Sequence, residues 1–364
     1  MSQAWSTSYA CNKSLKSQCN NTTSHVNIRD YPSQHLPDLG DFMPSWGELL
    51  VEVNNEALHA DLDKENPIDT VRRRYLLKFS KMTGRNVILY STKFTIAPSG
   101  PPDFITVNDE DMCGLMETIH GLDCSKGLDI ILHSPGGDPT SAERIVKYLR
   151  SKFPTDIRVF IPHMAMSAAT MIACASNEII MTKHSFIGPI DPQMTFPGPT
   201  GNYITEPATA ILDQFEKAKD DCSENPNNLQ VWMPILAQYG PAMLTVCENW
   251  INLSELMVSN WIYEYMFNRQ NEDCAKSIAK TLADHRKYLN HSRSIDYQAA
   301  KEMGLKVSLL EDMGNDIQDC VLSAFHATNI TFNGTQAVKI IENQLGKAFI
   351  KSAGMPVPLQ FPQE

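Results

Sequence analysis

"LDIILHSPGGDPTSAERIVKYLRSKFPTDIRVFIPHMAMSAATMIACASNEIIMT", residues 128–182, switches hydrophobic period four times. Residues 128–138 read as an apolar strand that runs into a glycine turn at Gly136-Gly137. Residues 139–153 carry apolar side chains at helical spacing, and 156–166 return to a β-rich run. A helix of small residues follows over 167–176, then a third strand, "NEIIMT", at 177–182. Strand–helix–strand units of this length pair in parallel, so the stretch predicts an α/β layer fold on a parallel sheet.

The flanks extend this pattern. A helical period begins near Trp46, a second helix covers 68–83 and stops at Thr83-Gly84, and "NVILY" (86–90) is a buried strand. Residues 96–104 form a proline-rich loop, and Asn108-Asp109-Glu110-Asp111 cap a helix through His120. Beyond the centre, 207–222 and 241–268 read as helices, with Pro226 and Pro234 between them. Shorter helices are expected at 296–304 and 316–328, a helical tail at 335–353, and a loose end in "PVPLQFPQE". Residues 1–45, rich in Ser, Asn and Pro, read as a poorly ordered leader. The expected organisation is leader 1–45, helical arm 46–85, α/β domain 86–310 and helical extension 311–364.

Composition narrows the function. With 364 residues and 42% apolar content the chain can bury a large core, and its net charge of −11 argues against a nucleic-acid surface. The one dense basic stretch, Arg72–Arg74 with Lys78 and Lys81, reads as a solvated helix face. Nine cysteines include no CxxC pair, which fits reduced thiols better than disulfides or zinc. No G-x-G-x-x-G occurs, so neither a cofactor nor a metal is expected. The first 30 residues lack an apolar signal core, and no run reaches the ~18 apolar residues of a membrane span. A cytoplasmic location is expected, with any membrane contact peripheral or made through a partner.

Ser167 is the residue without a bland explanation of equal interest. It lies where strand gives way to helix, among small apolar neighbours. A serine there commonly caps the helix or fills space. It can also stand exposed at a sharp turn as a nucleophile, although the G-x-S-x-G pattern of the α/β-hydrolase elbow is absent. The N–H of Ala168, at the start of the following helix, would be a natural oxyanion donor. The second would come from Gly136 or Gly137, where no side chain blocks close approach of a substrate.

"ILHSPGGDPTSAERIVKYLRS" followed by "IPHMAMSAATMIACASNEIIMTKHSFIGPIDPQ" resembles the Clp/crotonase-fold serine peptidases, above all the serine dehydrogenase proteinase family related to the S49 signal peptide peptidases. "TGRNVILY", "LADHRKYLNHSRSI" and "KIIENQLGKAFI" extend the likeness over about 68–351. The resemblance implies a Clp/crotonase-like parallel sheet, Ser167 as nucleophile, and an oxyanion hole from Ala168 and the Gly136-Gly137 turn. It also implies peptide, unfolded-protein or membrane-protein substrates and a homo-oligomer. The aromatics Trp250, Trp261, Tyr263, Tyr265 and Phe267 suggest an interface on 241–268.

The general base is less legible. The position matching the Clp-type histidine falls at Ile190, and His184 lies five residues too early. His163 is better explained by packing or substrate contact. S49 peptidases use a lysine some fifty residues past the serine, which points to Lys219, with Lys217 as the alternative and His184 the weaker one. A base elsewhere stays open. The reading is therefore an ATP-independent serine endopeptidase with a Ser–Lys dyad. Its rivals are an inactive Clp-fold scaffold or interaction protein and a crotonase-type acyl-CoA enzyme, which would have no use for Ser167.

Overall fold

In the computed structural model, residues 46–59, 66–198 and 201–354 are described. The expected leader and the "PVPLQFPQE" segment lie outside them. The strands are β1 (Asn86–Thr92), β2 (Leu128–His133), β3 (Ile157–Ile161), β4 (Met164–Ala165), β5 (Glu178–Met181), β6 (Phe186–Ile187), β7 (Gln193–Pro197), β8 (Tyr203–Pro207), β9 (Val307–Leu309), β10 (Ala337–Asn343) and β11 (Ala348–Ser352). Seven form one sheet in the order β11-β10-β1-β2-β3-β5-β9. The run from β1 to β9 is parallel, and β10 and β11 add an antiparallel edge. One row of β-branched residues, Ile88, Ile130, Val159, Ile179 and Val307, crosses the parallel part in register.

Both faces of the sheet are covered, which is why β1 and β2 are buried along their whole length. On one face, Ile145, Val146 and Leu149 of helix Pro139–Lys152 pack with Met171 and Ile172 of helix Ala168–Cys174. The first of these helices starts where expected, because Asp138 caps it and Pro139 opens its first turn. On the other face, Leu76 and Phe79 of helix Pro67–Thr83 and Val321, Leu322 and Phe332 of helix Asn315–Gly334 cover Val87, Leu89, Ile131, Phe160 and Ile180. The expected arm and extension are thus walls of the same core.

Two expectations are corrected here. The tail 335–353 is not helical: it forms the β10–β11 hairpin, and β10 pairs with β1 from Ile88↔Asn343 to Thr92↔Lys339. Its polar residues misled the pattern because Lys339 and Glu342 are fully buried in ion pairs and mark no solvent face. Nor is Arg72 solvated. It is buried, with Nε 2.5 Å from Glu342 and Nη1 2.8 Å from Thr331 Oγ1. A charge can sit there only because β10 brings a carboxylate to it.

The aromatic run behaves differently from a uniform helix. Helix Met243–Trp261 passes into a π turn, Ile262–Met266, and the change of period lets Tyr263, Tyr265 and Phe267 pack against the chain's own core. The guanidinium of Arg150 lies 4.0 Å from the Tyr265 ring centre. A further helix, Glu272–Ala283, packs on Met243–Trp261 and leads into the segment that completes the site.

Candidate active site

Ser167 is reached through a local rearrangement of chain. After β3 the backbone leaves the main sheet and forms β4, which pairs in parallel with β6 and bridges Ser134 on its other side. Ser134 N–H donates to Met164 O at 3.1 Å, and Met166 N–H donates to Ser134 O at 3.0 Å. The Ser134–Gly137 turn is thereby stitched alongside the residues preceding Ser167.

Ser167 itself has φ 50° and ψ −122°, a region that non-glycine residues rarely occupy. Such a conformation costs of order 1–3 kcal/mol and is held only by its surroundings. Two contacts hold it. A Cβ on Gly136 would fall 2.4 Å from Met166 O and 2.7 Å from Ala168 N, so the glycine backbone presses directly on the turn. Helix Ala168–Cys174 then begins at once, every residue buried. The serine precedes this helix yet makes no capping bond with its side chain, so the ordinary reason for a serine there is missing. Its hydroxyl carries no hydrogen bond among the described residues and faces a cavity of about 320 Å³.

Gly137 and Ala168 line the same cavity. Gly136 N–H is already committed to Ser134 Oγ at 3.2 Å, which leaves Gly137 the better oxyanion donor of the pair. Gly137 has φ 153°, and a Cβ there would meet Val107 N and O at 2.5 Å. Met171, Ile190, Met194 and Trp250 supply the apolar wall, and Asp191 contributes a carboxylate.

That carboxylate was not singled out from the sequence. Asp191 is almost wholly buried, and Oδ1 accepts from His291 Nδ1 at 2.6 Å. Oδ2 accepts from His285 Nδ1 at 2.9 Å and from Gln193 Nε2 at 2.9 Å. Three donors compensate its desolvation. A carboxylate only accepts, so in both contacts the imidazole donates from Nδ1 and its Nε2 is turned away from Asp191. The backbone brings the two segments together: Ile187 and Ile295 exchange antiparallel hydrogen bonds of 3.0 and 2.9 Å. Ile190 N–H to Leu282 O, 2.9 Å, anchors the segment bearing His285. The available signal was weak: Asp191 adjoins the Clp-histidine position at Ile190, and both histidines lie in "LADHRKYLNHSRSI".

The lysines stand elsewhere. Lys219 is mostly exposed and bound to Glu216 at 2.7 Å, and that hydrogen bond and charge raise its pKa. A general base needs the opposite shift. The buried row of its helix, Ala208–Glu224, runs through Ile211 and Ala218 and leaves Lys217 and Lys219 on the solvent side. Lys217, Lys219 and the exposed His184 do not line the Ser167 cavity, and His285 and His291 reach it only through Asp191. His133 and His163 stack at 5.3 Å beneath Phe325, and His133 Nε2 lies 3.2 Å from Thr95 Oγ1. This is a packed cluster apart from the cavity lining.

Comparison with known proteins gives the family. A family model described as ClpP-like SDH-type serine proteinase matches residues 62–318. An uncharacterized protein of Methanocaldococcus jannaschii is 30% identical over 204 residues, 56% of this chain and 60% of the relative. A second from the same organism is 28% identical over 205 residues, 56% of this chain and 59% of its own. The chain thus spans about three fifths of the length of the curated relatives it matches. Among solved structures, a mutant of the 1510-N membrane-bound stomatin-specific protease aligns at 16% identity and TM-score 0.35, over 56% of this chain and 74% of that one. Another mutant, in complex with a substrate peptide, aligns at 18% and 0.30, over 50% and 60%. With the family model covering most of the chain, the sheet, the Ser167 turn and the glycine pair belong to a member of the ClpP-like SDH-type serine proteinases.

Proposed function

We propose that the chain is an ATP-independent serine endopeptidase whose base is an imidazole held by Asp191. Ser167 Oγ attacks the scissile carbonyl, and an imidazole Nε2 of the His285/His291 pair takes its proton. The N–H groups of Gly137 and Ala168 stabilise the oxyanion, and the imidazolium returns the proton to the leaving amine. Asp191 fixes the tautomer and balances the charge formed on the ring. The observation that carries this reading is the Ser167 backbone, strained at φ 50° with an uncommitted hydroxyl in a cavity shared with Asp191. Labelling with a fluorophosphonate probe, and hydrolysis of fluorescein-labelled casein without ATP, test it. Labelling that is absent, or survives Ser167→Ala, overturns it.

A non-catalytic protein on the same fold is the second reading. It is favoured by one fact: neither imidazole hydrogen-bonds Ser167 Oγ among the described residues. Catalytic hydrogen bonds often tighten only when substrate binds, so the peptidase reading is retained.

Self-association also belongs to the proposal. The 261–267 aromatics pack inward, so support for it now comes from helix Leu229–Leu236, where Leu229, Val231 and Met233 are exposed. Light scattering that returned a monomer would refute it. No helix among the described residues is long and apolar enough to cross a membrane; a cytoplasmic site of action with peripheral membrane contact remains part of the proposal.

A further inference from the structure

The Gly136-Gly137 turn is not self-supporting. Val107 holds it from outside: Val107 N–H donates to Gly136 O at 2.7 Å, and Asp138 N–H donates to Val107 O at 2.9 Å. The Val107 backbone also occupies the space where a Gly137 side chain would begin. Wherever residues 106–108 sit, the Gly137 N–H follows.

Those residues are tethered in turn by a buried charge. Lys339 Nζ, on β10, donates to Thr106 O at 2.9 Å and to Asp111 Oδ1 at 2.6 Å. Asp111 Oδ2 accepts from Asn108 N–H at 3.0 Å and from Tyr90 O–H at 2.7 Å. Lys339 and Asp111 are both fully buried. One ion pair therefore grips the backbone on both sides of Val107, at Thr106 and at Asn108.

A buried ion pair is weak evidence for stability, since an apolar pair of similar volume often does as well. Its geometry here serves position. Polar hydrogen bonds fix direction, which packing alone does not, and an oxyanion donor must be placed to within a fraction of an ångström. Resting on the peptidase reading above, we infer that Lys339 and Asp111 are positioning residues for the oxyanion hole, acting through Thr106, Val107 and Asn108 on Gly137. The C-terminal hairpin thereby becomes part of the catalytic apparatus without touching substrate.

The test uses the full chain, a fluorophosphonate probe, kcat and KM on fluorescein-labelled casein, and thermal melting. Lys339→Met alone leaves Asp111 buried and unpaired, and a fall in stability is expected. Lys339→Met with Asp111→Asn removes that charge yet keeps an acceptor for Asn108 N–H and Tyr90. This double variant should melt near wild type and still lose ~10²-fold in kcat and labelling rate, with KM changed less than about threefold. Lys351→Met breaks another hairpin ion pair, Lys351–Glu110, that does not reach residues 106–108, and should keep its kcat. If the double variant regains labelling along with stability, the pair is only structural and the inference falls. A wild-type chain that never labels overturns the peptidase reading and this inference together; a labelling wild type with a fully active double variant overturns this inference alone.

Discussion

His291 Nδ1 lies 2.6 Å from Asp191 Oδ1, across 100 residues of intervening chain. Asp191 lines the cavity that holds Ser167, and the proposed function gives the serine's proton to one of its imidazoles instead of to a lysine. It also makes the choice of base testable one residue at a time.

The base is addressed by three substitutions. Asp191→Asn should lower kcat by roughly 10³–10⁴, by analogy with loss of the orienting carboxylate in other triads. At least one of His285→Ala and His291→Ala should do the same, and the other should cost less. Lys219→Arg should keep near-full casein hydrolysis, because an exposed cation tolerates the swap. An inactive Lys219→Arg enzyme with both histidine variants active would return the role to the lysine.

Ser167 sets function against stability. Ser167→Gly removes the nucleophile and also relieves the positive φ, so labelling should vanish while stability rises by about 1 kcal/mol. Ser167→Ala should abolish labelling without that gain, since alanine has the same Cβ. Urea denaturation of the three proteins distinguishes them; a glycine variant less stable than the alanine variant would show that the turn is not strained.

For the oxyanion turn, Gly137→Ala places a Cβ 2.5 Å from the Val107 backbone, which cannot yield as a flexible side chain would. The expected result is a kcat lower by ~10²-fold or more with some loss of stability. Full turnover in this variant would mean that the N–H of Gly137 is not used.

Acid should destabilise the protein through the histidine cluster. Burial, then the neighbouring His163, pushes His133 down to about 3, and burial with His184 and His163 pushes His326 down to about 4. His163 is lowered too, by burial and by His184. These folded values lie below the unfolded one near 6.5, so the unfolded chain takes up protons first as pH falls. Stability should be unaffected by these groups above about pH 6.5 and decline below it, by about 1.4 kcal/mol per pH unit for His133 alone. Unfolding free energies at pH 6.5 and 4.5 check this; His133→Gln should flatten the slope, and an unchanged slope refutes it.

Local pattern was enough for the sheet's parallel core, for the strand–turn–helix placement of Ser167, and for the need for glycine at 136 and 137. Each of these depends on residues adjacent in the chain: β-branched runs buried on both faces, a proline and an aspartate opening a helix, and a turn with no room for Cβ. The hairpin at 337–352 escaped because its charges are neutralised by Asp111, Arg72 and Arg73, residues more than two hundred positions away. Polarity therefore gave no sign of which face is buried. The base escaped for the same reason. The proposed base is a matter of distance in space: Asp191 meets His285 and His291 across 94 and 100 residues of chain. Spacing along the chain could propose Lys219; only the tertiary fold shows that this helix turns its lysines to solvent and that two imidazoles meet one buried carboxylate.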